Sequence, residues 1–125
     1  MKISEAITMA NTLKPSQYDE KTMIGWLNSL DQRIFLEIVM THEGSEEIEM
    51  PNYSVTGGMD TELIVQEPYT DVYAYWLMAM IDFYNAEITR YVNSMSMFNA
   101  AYEAFSSAYN RHHMPLQPNY VKGVR

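Results

Sequence analysis

From Thr70 to His112 apolar side chains recur at helical spacing. Ala74, Leu77, Ile81, Tyr84, Ile88, Tyr91, Met95, Phe98, Tyr102, Phe105 and Tyr109 follow one another at alternating steps of three and four, the period of an α-helix and not of a strand. No Gly or Pro interrupts the stretch. The backbone therefore permits one rod of roughly 60 Å at about 1.5 Å per residue, which would outreach a compact domain of this size. An antiparallel hairpin is the preferred alternative, with the bend at Asn85-Ala86 or Asn93-Ser94, because Asn and Ser satisfy free backbone groups at helix ends.

The two halves of the stretch differ. Val72 to Tyr84 is apolar on nearly every side, with Val72, Tyr73, Tyr75, Trp76, Leu77, Met78, Met80, Ile81, Phe83 and Tyr84, which predicts a helix surrounded by protein. From Glu87 onward the stripe narrows, flanked by Ala100, Ala101, Ala104 and Ala108. That half is expected to have one dry face and one wet face. Phe98, Tyr102, Phe105 and Tyr109 on the dry face are candidate contacts with another subunit.

Earlier in the chain, Ser4 and Glu5 open a short helix whose Ala6, Ile7, Met9, Ala10 and Leu13 form a packing face, expected as a satellite on the core, before Lys14-Pro15 stops it. Ser16 or Asp19 opens a second helix with Met23, Leu27, Leu30, Ile34 and Ile38 along its stripe, widened by Trp26 and Phe35 and ending near Gly44. Its polar residues Asn28, Asp31, Gln32 and Glu37 read as a wetted face. Residues 43–61 form a long loop, expected to be exposed and functional. Within it Ile48 to Met50 could pair with a short strand at Glu62 to Val65. After His113, two prolines and spaced apolar residues make 114–125 an extended tail, with Pro115 and Tyr120 as candidate partner contacts. The fold class is thus mainly α: a small helical bundle with a long central helix or helical hairpin, a long loop with at most a short β-hairpin, and the tail. Residues 1–113 form its single domain.

Composition narrows the function classes. With 125 residues, 47% hydrophobic and 13% aromatic, the chain has material for one modest core. The formal charge is −8, and all sixteen acids lie at or before Glu103, after which Arg111, Lys122 and Arg125 are the only charged residues. An acidic body argues against gripping nucleic acid, and a basic tail invites association through unlike ends. No cysteine is present, which rules out a disulfide framework or thiolate metal site. Met1 to Glu5 lacks the start of a signal peptide, and no stretch reaches the roughly 18 apolar residues of a membrane span. A chain made and folded in the cytosol, with no membrane association, is the expectation.

Motifs for chemistry are scarce. Gly57-Gly58 is followed by Met59-Asp60 and not by the Lys-Ser or Lys-Thr of a phosphate loop. Neither Glu87 nor Glu103 has a His three residues on, as a di-iron bundle requires. His112 and His113 diverge by about 100° on a helix and cannot chelate together; with His42 they read as structural or solvated. Glu43, Glu46, Glu47 and Glu49 lack the spacing of a calcium loop. Asp82 and Glu87 lie beside the densest apolar run. Pairing with Arg90 or a tyrosine hydroxyl is their plain reading; a pocket around Trp76, Asp82 and Tyr84 would be the site of an enzyme. The expectation is a non-enzymatic protein without cofactor or metal.

The order Trp26-Leu27-Asn28 through Asp31, Thr41-His42, Leu63-Ile64-Val65 before Pro68-Tyr69, Tyr75-Trp76, Ile81-Asp82 with Tyr84-Asn85, Tyr91, Phe98-Asn99-Ala100-Ala101-Tyr102, and Tyr109-Asn110-Arg111 ahead of Met114-Pro115 resembles small phage and prophage head-tail connector (adaptor, head completion) proteins of Gram-positive hosts. The resemblance covers nearly the whole chain as a pattern of apolar and aromatic landmarks. It implies a helical subunit in a homo-oligomeric ring of about twelve copies below the portal. It also implies contacts with the portal protein and with the next head-completion or tail protein, and residence in the bacterial cytoplasm during assembly and then at the virion head-tail interface. It supplies no catalytic residue and no sequence-specific nucleic acid contact. The pattern often carries Gly after its Tyr-Asn step, where this chain has Ala86, and this departure counts against a break at Asn85. A soluble dimeric helical interaction or regulatory protein, with the Phe98, Tyr102, Phe105 and Tyr109 face as its seam, is the alternative.

Overall fold

Each periodic segment forms a helix in the computed structural model, which describes residues 1–116. The four are α1 (Ile3–Leu13), α2 (Glu20–Glu37), α3 (Asp71–Tyr84) and α4 (Ile88–His112). Among the described residues there is no strand, only the isolated antiparallel bridges Lys2 to Glu62 and His42 to Pro115.

α1 is part of the core and not a satellite, because Ile3, Ala6, Ile7 and Ala10 are all buried. It starts one residue before Ser4. Lys2 is the cap, and its amide donates to Glu5 Oε1 at 2.8 Å. The next two free amides, on Ile3 and Ser4, donate to the carbonyls of Thr61 and Met59 at 3.0 and 2.9 Å, so the far end of the long loop satisfies groups that every helix start leaves open. This also explains the missing hairpin. Glu62 and Leu63 are drawn to the chain start, with Leu63 N–H donating to Met1 O at 2.8 Å, and Leu63 and Val65 bury their side chains. Ile48 to Met50 stays exposed.

α2 is capped by Asp19, whose carboxylate accepts from Thr22 N–H at 2.9 Å. Met23, Ile24, Leu27, Leu30, Ile34 and Phe35 form its buried stripe. The helix ends at Glu37 and tightens into a 3-10 turn over Val39–Thr41. Gly44, with φ of 88°, lies beyond this and opens a second such turn, Ser45–Glu47.

The long stretch folds back. At Asn85 to Glu87 the amide of Ala86 donates to Phe83 O and that of Glu87 to Asp82 O, at 3.0 and 2.9 Å, with Ala86 left-handed at φ 58°. This is a complete Schellman ending, formed on alanine despite the expectation that Ala86 counts against it. Trp76 meets Phe98, Asp82 meets Ser94 and Phe83 meets Tyr91, pairs centred on Glu87 and Ile88, as an antiparallel hairpin requires.

Burial corrects the two halves of that stretch. α3 is buried at Val72, Tyr73, Ala74, Leu77, Ala79, Ile81 and Asp82, but its last turn leaves Phe83 and Tyr84 exposed. On α4, Phe98 and Phe105 are buried in the core of their own chain, and Tyr102 and Tyr109 pack against it. The stripe expected to face another subunit is therefore largely packed within its own chain, since α4 lies along α3, with Tyr102 reaching Glu37 of α2. The start of the tail is likewise tied to the body: Glu43 N–H donates to Met114 O at 2.9 Å and Leu116 N–H to Thr41 O at 2.8 Å. Pro115 is bridged through its backbone with its side chain exposed. Tyr120 lies outside the described residues.

Candidate interaction surface

Two buried carboxylates organise the interior. Asp31, read from sequence as part of a wetted face, is fully buried. It accepts from Tyr53 Oη, from Tyr73 Oη at 2.7 Å and from Ile64 N–H at 3.0 Å. Tyr73 Oη in turn accepts from Val65 N–H at 2.8 Å. On the same helix as Asp31, one turn earlier, Asn28 Oδ1 accepts from Tyr53 N–H at 2.8 Å, and the residue after Asp31, Gln32, donates through Nε2 to Pro51 O at 2.9 Å. The polar stripe of α2 thus binds the loop's backbone in place of water. Burial raises the pKa of Asp31, opposed by its three donors. Tyr53 and Tyr73 are pushed up strongly, first by burial and then by the adjacent carboxylate.

Asp82, the acid singled out beside the apolar run, pairs with neither Arg90 nor a tyrosine. Its carboxylate accepts from Lys14 Nζ at 2.7 Å and Ser94 Oγ at 2.8 Å, joining α1, α3 and α4. Arg90 pairs with Glu87 at 3.1 Å on the surface. Trp76 Nε1 donates to Trp26 O at 2.9 Å, so neither Trp76 nor Asp82 is left as a free polar group.

Two of the histidines, His42 and His113, have structural partners, and His112 is exposed. His42 is buried, with Nδ1 at 2.6 Å from Ile38 O, Nε2 at 2.6 Å from Asn110 Oδ1, and its ring edge-on to Tyr109 at 4.9 Å. His113 stacks on Tyr109 at 3.9 Å. Tyr102 donates to Glu37 Oε1 at 3.0 Å, and burial together with that carboxylate pushes its hydroxyl up to about 12. Among the described residues no group of three His, Asp or Glu side chains is placed to hold a metal, and no helix is long and apolar enough to cross a membrane.

The surface is unusual at the α3–α4 tip. Tyr18, Trp26, Tyr84, Phe83 and Tyr91 form an unbroken run of rings, with successive centroids 5.2, 5.5, 5.1 and 5.4 Å apart. Tyr18 Oη and Gln17 Nε2 both donate to Asn85 Oδ1, at 2.8 and 3.0 Å, fixing the α1–α2 connection to the hairpin turn. The inner rings are half-buried, whereas Phe83 is 50% and Tyr84 57% exposed, and Ile88 and Val92, one turn apart on α4, are 63% and 57% exposed. A supported ring cluster with an exposed apolar outer edge is the anatomy of a protein contact surface. A sequence signal existed: Phe83 and Tyr84 continue an all-round apolar helix into its last turn, where a four-helix body has too little neighbouring protein to cover every side.

Of the described residues expected to meet a partner, Phe98 and Phe105 are core, Tyr102 and Tyr109 are half-buried, Pro115 is at the opposite end of α4 from the tip, and none of these five belongs to this cluster. Comparison with known proteins finds no matching family, no matching curated protein and no matching solved structure.

Proposed function

We propose that this chain is a non-enzymatic structural subunit of a phage or prophage head-tail connector, joining a ring below the portal. In this reading the ring cluster at the α3–α4 tip is the contact with the portal or the next head-completion protein. The observation that carries it is the exposed edge of Phe83, Tyr84, Ile88 and Val92 over an interior whose buried acids are engaged in structural bonds. Large aromatic and aliphatic side chains left in water cost free energy that only a partner recovers, at about 25 cal/mol per Å² of apolar surface covered. The landmark resemblance supplies the identity of the partner, and the acidic body suits a channel wall along which DNA slides without adhering.

The test is co-sedimentation of the purified chain with a phage portal protein from the genome that encodes it, followed by electron microscopy for rings. Binding that is lost in Phe83→Asp with Ile88→Asp supports the proposal. A stable dimer that ignores portal would replace it with the dimeric interaction protein, and turnover of a small molecule would remove it.

A further inference from the structure

Six exposed large apolar side chains gather round the C-terminal end of α2. Leu36 and Met40 stand there four residues apart. Ile48 and Met50 are held near them, because the Ser45–Glu47 turn packs on Val39–Thr41 and Pro51 O accepts from Gln32 Nε2, one turn before Leu36. Met114 and Leu116 join from the segment bridged antiparallel to residues 41–43. Apolar side chains grouped in this way mark a contact site. Exposed Glu43, Glu46, Glu47 and Glu49 flank the group, and Arg33 is the only Lys or Arg among residues 22–52.

The occupant that fits carries apolar residues and positive charge, and the chain delivers one to the spot. Residues 117–125 hold Tyr120, Val121 and Val124 with Lys122 and Arg125 and no acid. Their path is set by the pairing before them. Glu43 N–H donates to Met114 O and Leu116 N–H to Thr41 O, so the segment runs from Glu43 toward Thr41 and the residue after Leu116 sets out toward Met40. Leu36 lies five residues before Thr41, about 8 Å along the helix, whereas six residues from Leu116 to Lys122 can span about 21 Å. The patch is covered with chain to spare. Reaching Asp19 at the far end of α2 takes about 27 Å along 18 residues of helix, and so nearly full extension of the same segment. Tethering also selects the occupant, because a linker this short holds its own tail at an effective concentration on the order of millimolar, which a separate molecule has to exceed. We propose that residues 117–125 fold back on their own chain and cover Leu36, Met40, Ile48 and Met50, with Lys122 and Arg125 beside the acidic flank. This contact lies at the other end of α2 from Trp26 and the ring cluster, and it does not depend on the portal reading.

Amide spectra of the full-length chain test it. Val121→Asp with Lys122→Glu is expected to shift the amides of residues 36–40 and 48–50 and to leave those of Ile7, Ile24 and Val55 in place. Conversely, Leu36→Asp with Met40→Asp is expected to move the amides of residues 120–124 to random-coil positions, with an unchanged circular dichroism spectrum because both side chains are exposed. Tenfold dilution of the wild type is expected to change neither set, as a contact within one chain requires. Random-coil positions for residues 120–124 in the wild type would overturn the proposal. So would shifts at Ile7, Ile24 and Val55, which place the tail between α1 and α2, and dilution-dependent shifts, which place it on a second copy. Co-sedimentation with portal is read separately, so either result stands if the other fails.

Discussion

Tyr73 Oη lies 2.7 Å from the buried Oδ1 of Asp31, 42 residues away in sequence, joining α2 to α3, and accepts from Val65 N–H on its other side. This hydroxyl relays one bond between a helix and a loop. Tyr73→Phe leaves both Asp31 and Val65 short of a partner in a dry interior. A loss of about 2 to 4 kcal/mol is expected in urea denaturation, since each orphaned buried group costs about 1 to 3 kcal/mol. Tyr53→Phe, at a half-buried ring, is expected to cost less. Equal losses would mean that the loop, and not the interior, sets the strength of the cluster.

The same carboxylate gives stability a pH dependence of defined sign. Burial raises the folded-state pKa of Asp31 above the ordinary value of 3.8, so the folded protein holds this proton more tightly than the unfolded chain does. The contribution is fully present below pH 3.8 and is lost as pH rises through the folded-state value. Relative to Asp31→Asn, the wild type is therefore expected to lose stability as pH climbs through that interval, as measured by denaturation at a series of pH values. A difference that grew with pH would reverse the assignment.

Lys14 and Asp82 form a pair of the opposite kind, with the charge compensated. Lys14→Met strands a carboxylate that is wholly buried, and a cost of about 3 kcal/mol is expected in thermal or urea denaturation. Adding Asp82→Asn is expected to recover part of that loss, because the uncompensated charge is then gone. A double-mutant cycle with no coupling would show that Lys14 acts through packing alone.

Ala86 turns the chain at φ 58°, where a side chain crowds its own backbone by roughly 1 to 2 kcal/mol. Ala86→Gly is expected to raise stability by about 0.5 to 1 kcal/mol, after the greater freedom that glycine has in the unfolded chain is subtracted. Its unfolding midpoint is the readout, and a lower midpoint would mean that the turn is not held in this conformation.

At the tip, Phe83→Asp with Ile88→Asp is expected to change stability by less than about 1 kcal/mol, because both side chains are half or more exposed, while removing partner binding. Circular dichroism and sedimentation separate the two effects. Unfolding of this variant would place the rings in the core of the fold.

Amphipathic stripes were legible in sequence because the helix period is local: steps of three and four gather side chains on one face whatever that face meets. Loss of the glycine-free rod to a hairpin at Asn85 was legible as one of two candidate bends. What the stripes meet was not. Phe98, Tyr102, Phe105 and Tyr109 form the same stripe whether they pack on a second subunit or on α2 and α3, and only the hairpin, by bringing Phe98 against Trp76, directs them inward. Asn28, Asp31 and Gln32 likewise have one spacing for water and for a loop arriving from Pro51 to Ile64. Helical pattern is a property of neighbours in sequence, and so the chain alone determined the helical segments, their dry faces and an acidic body with a basic end, while leaving open whether 70–112 is one helix or two. Which dry face lies against which, which acids are sealed inside and which rings are left in solvent depend on contacts between residues dozens of positions apart, and those the tertiary structure decided.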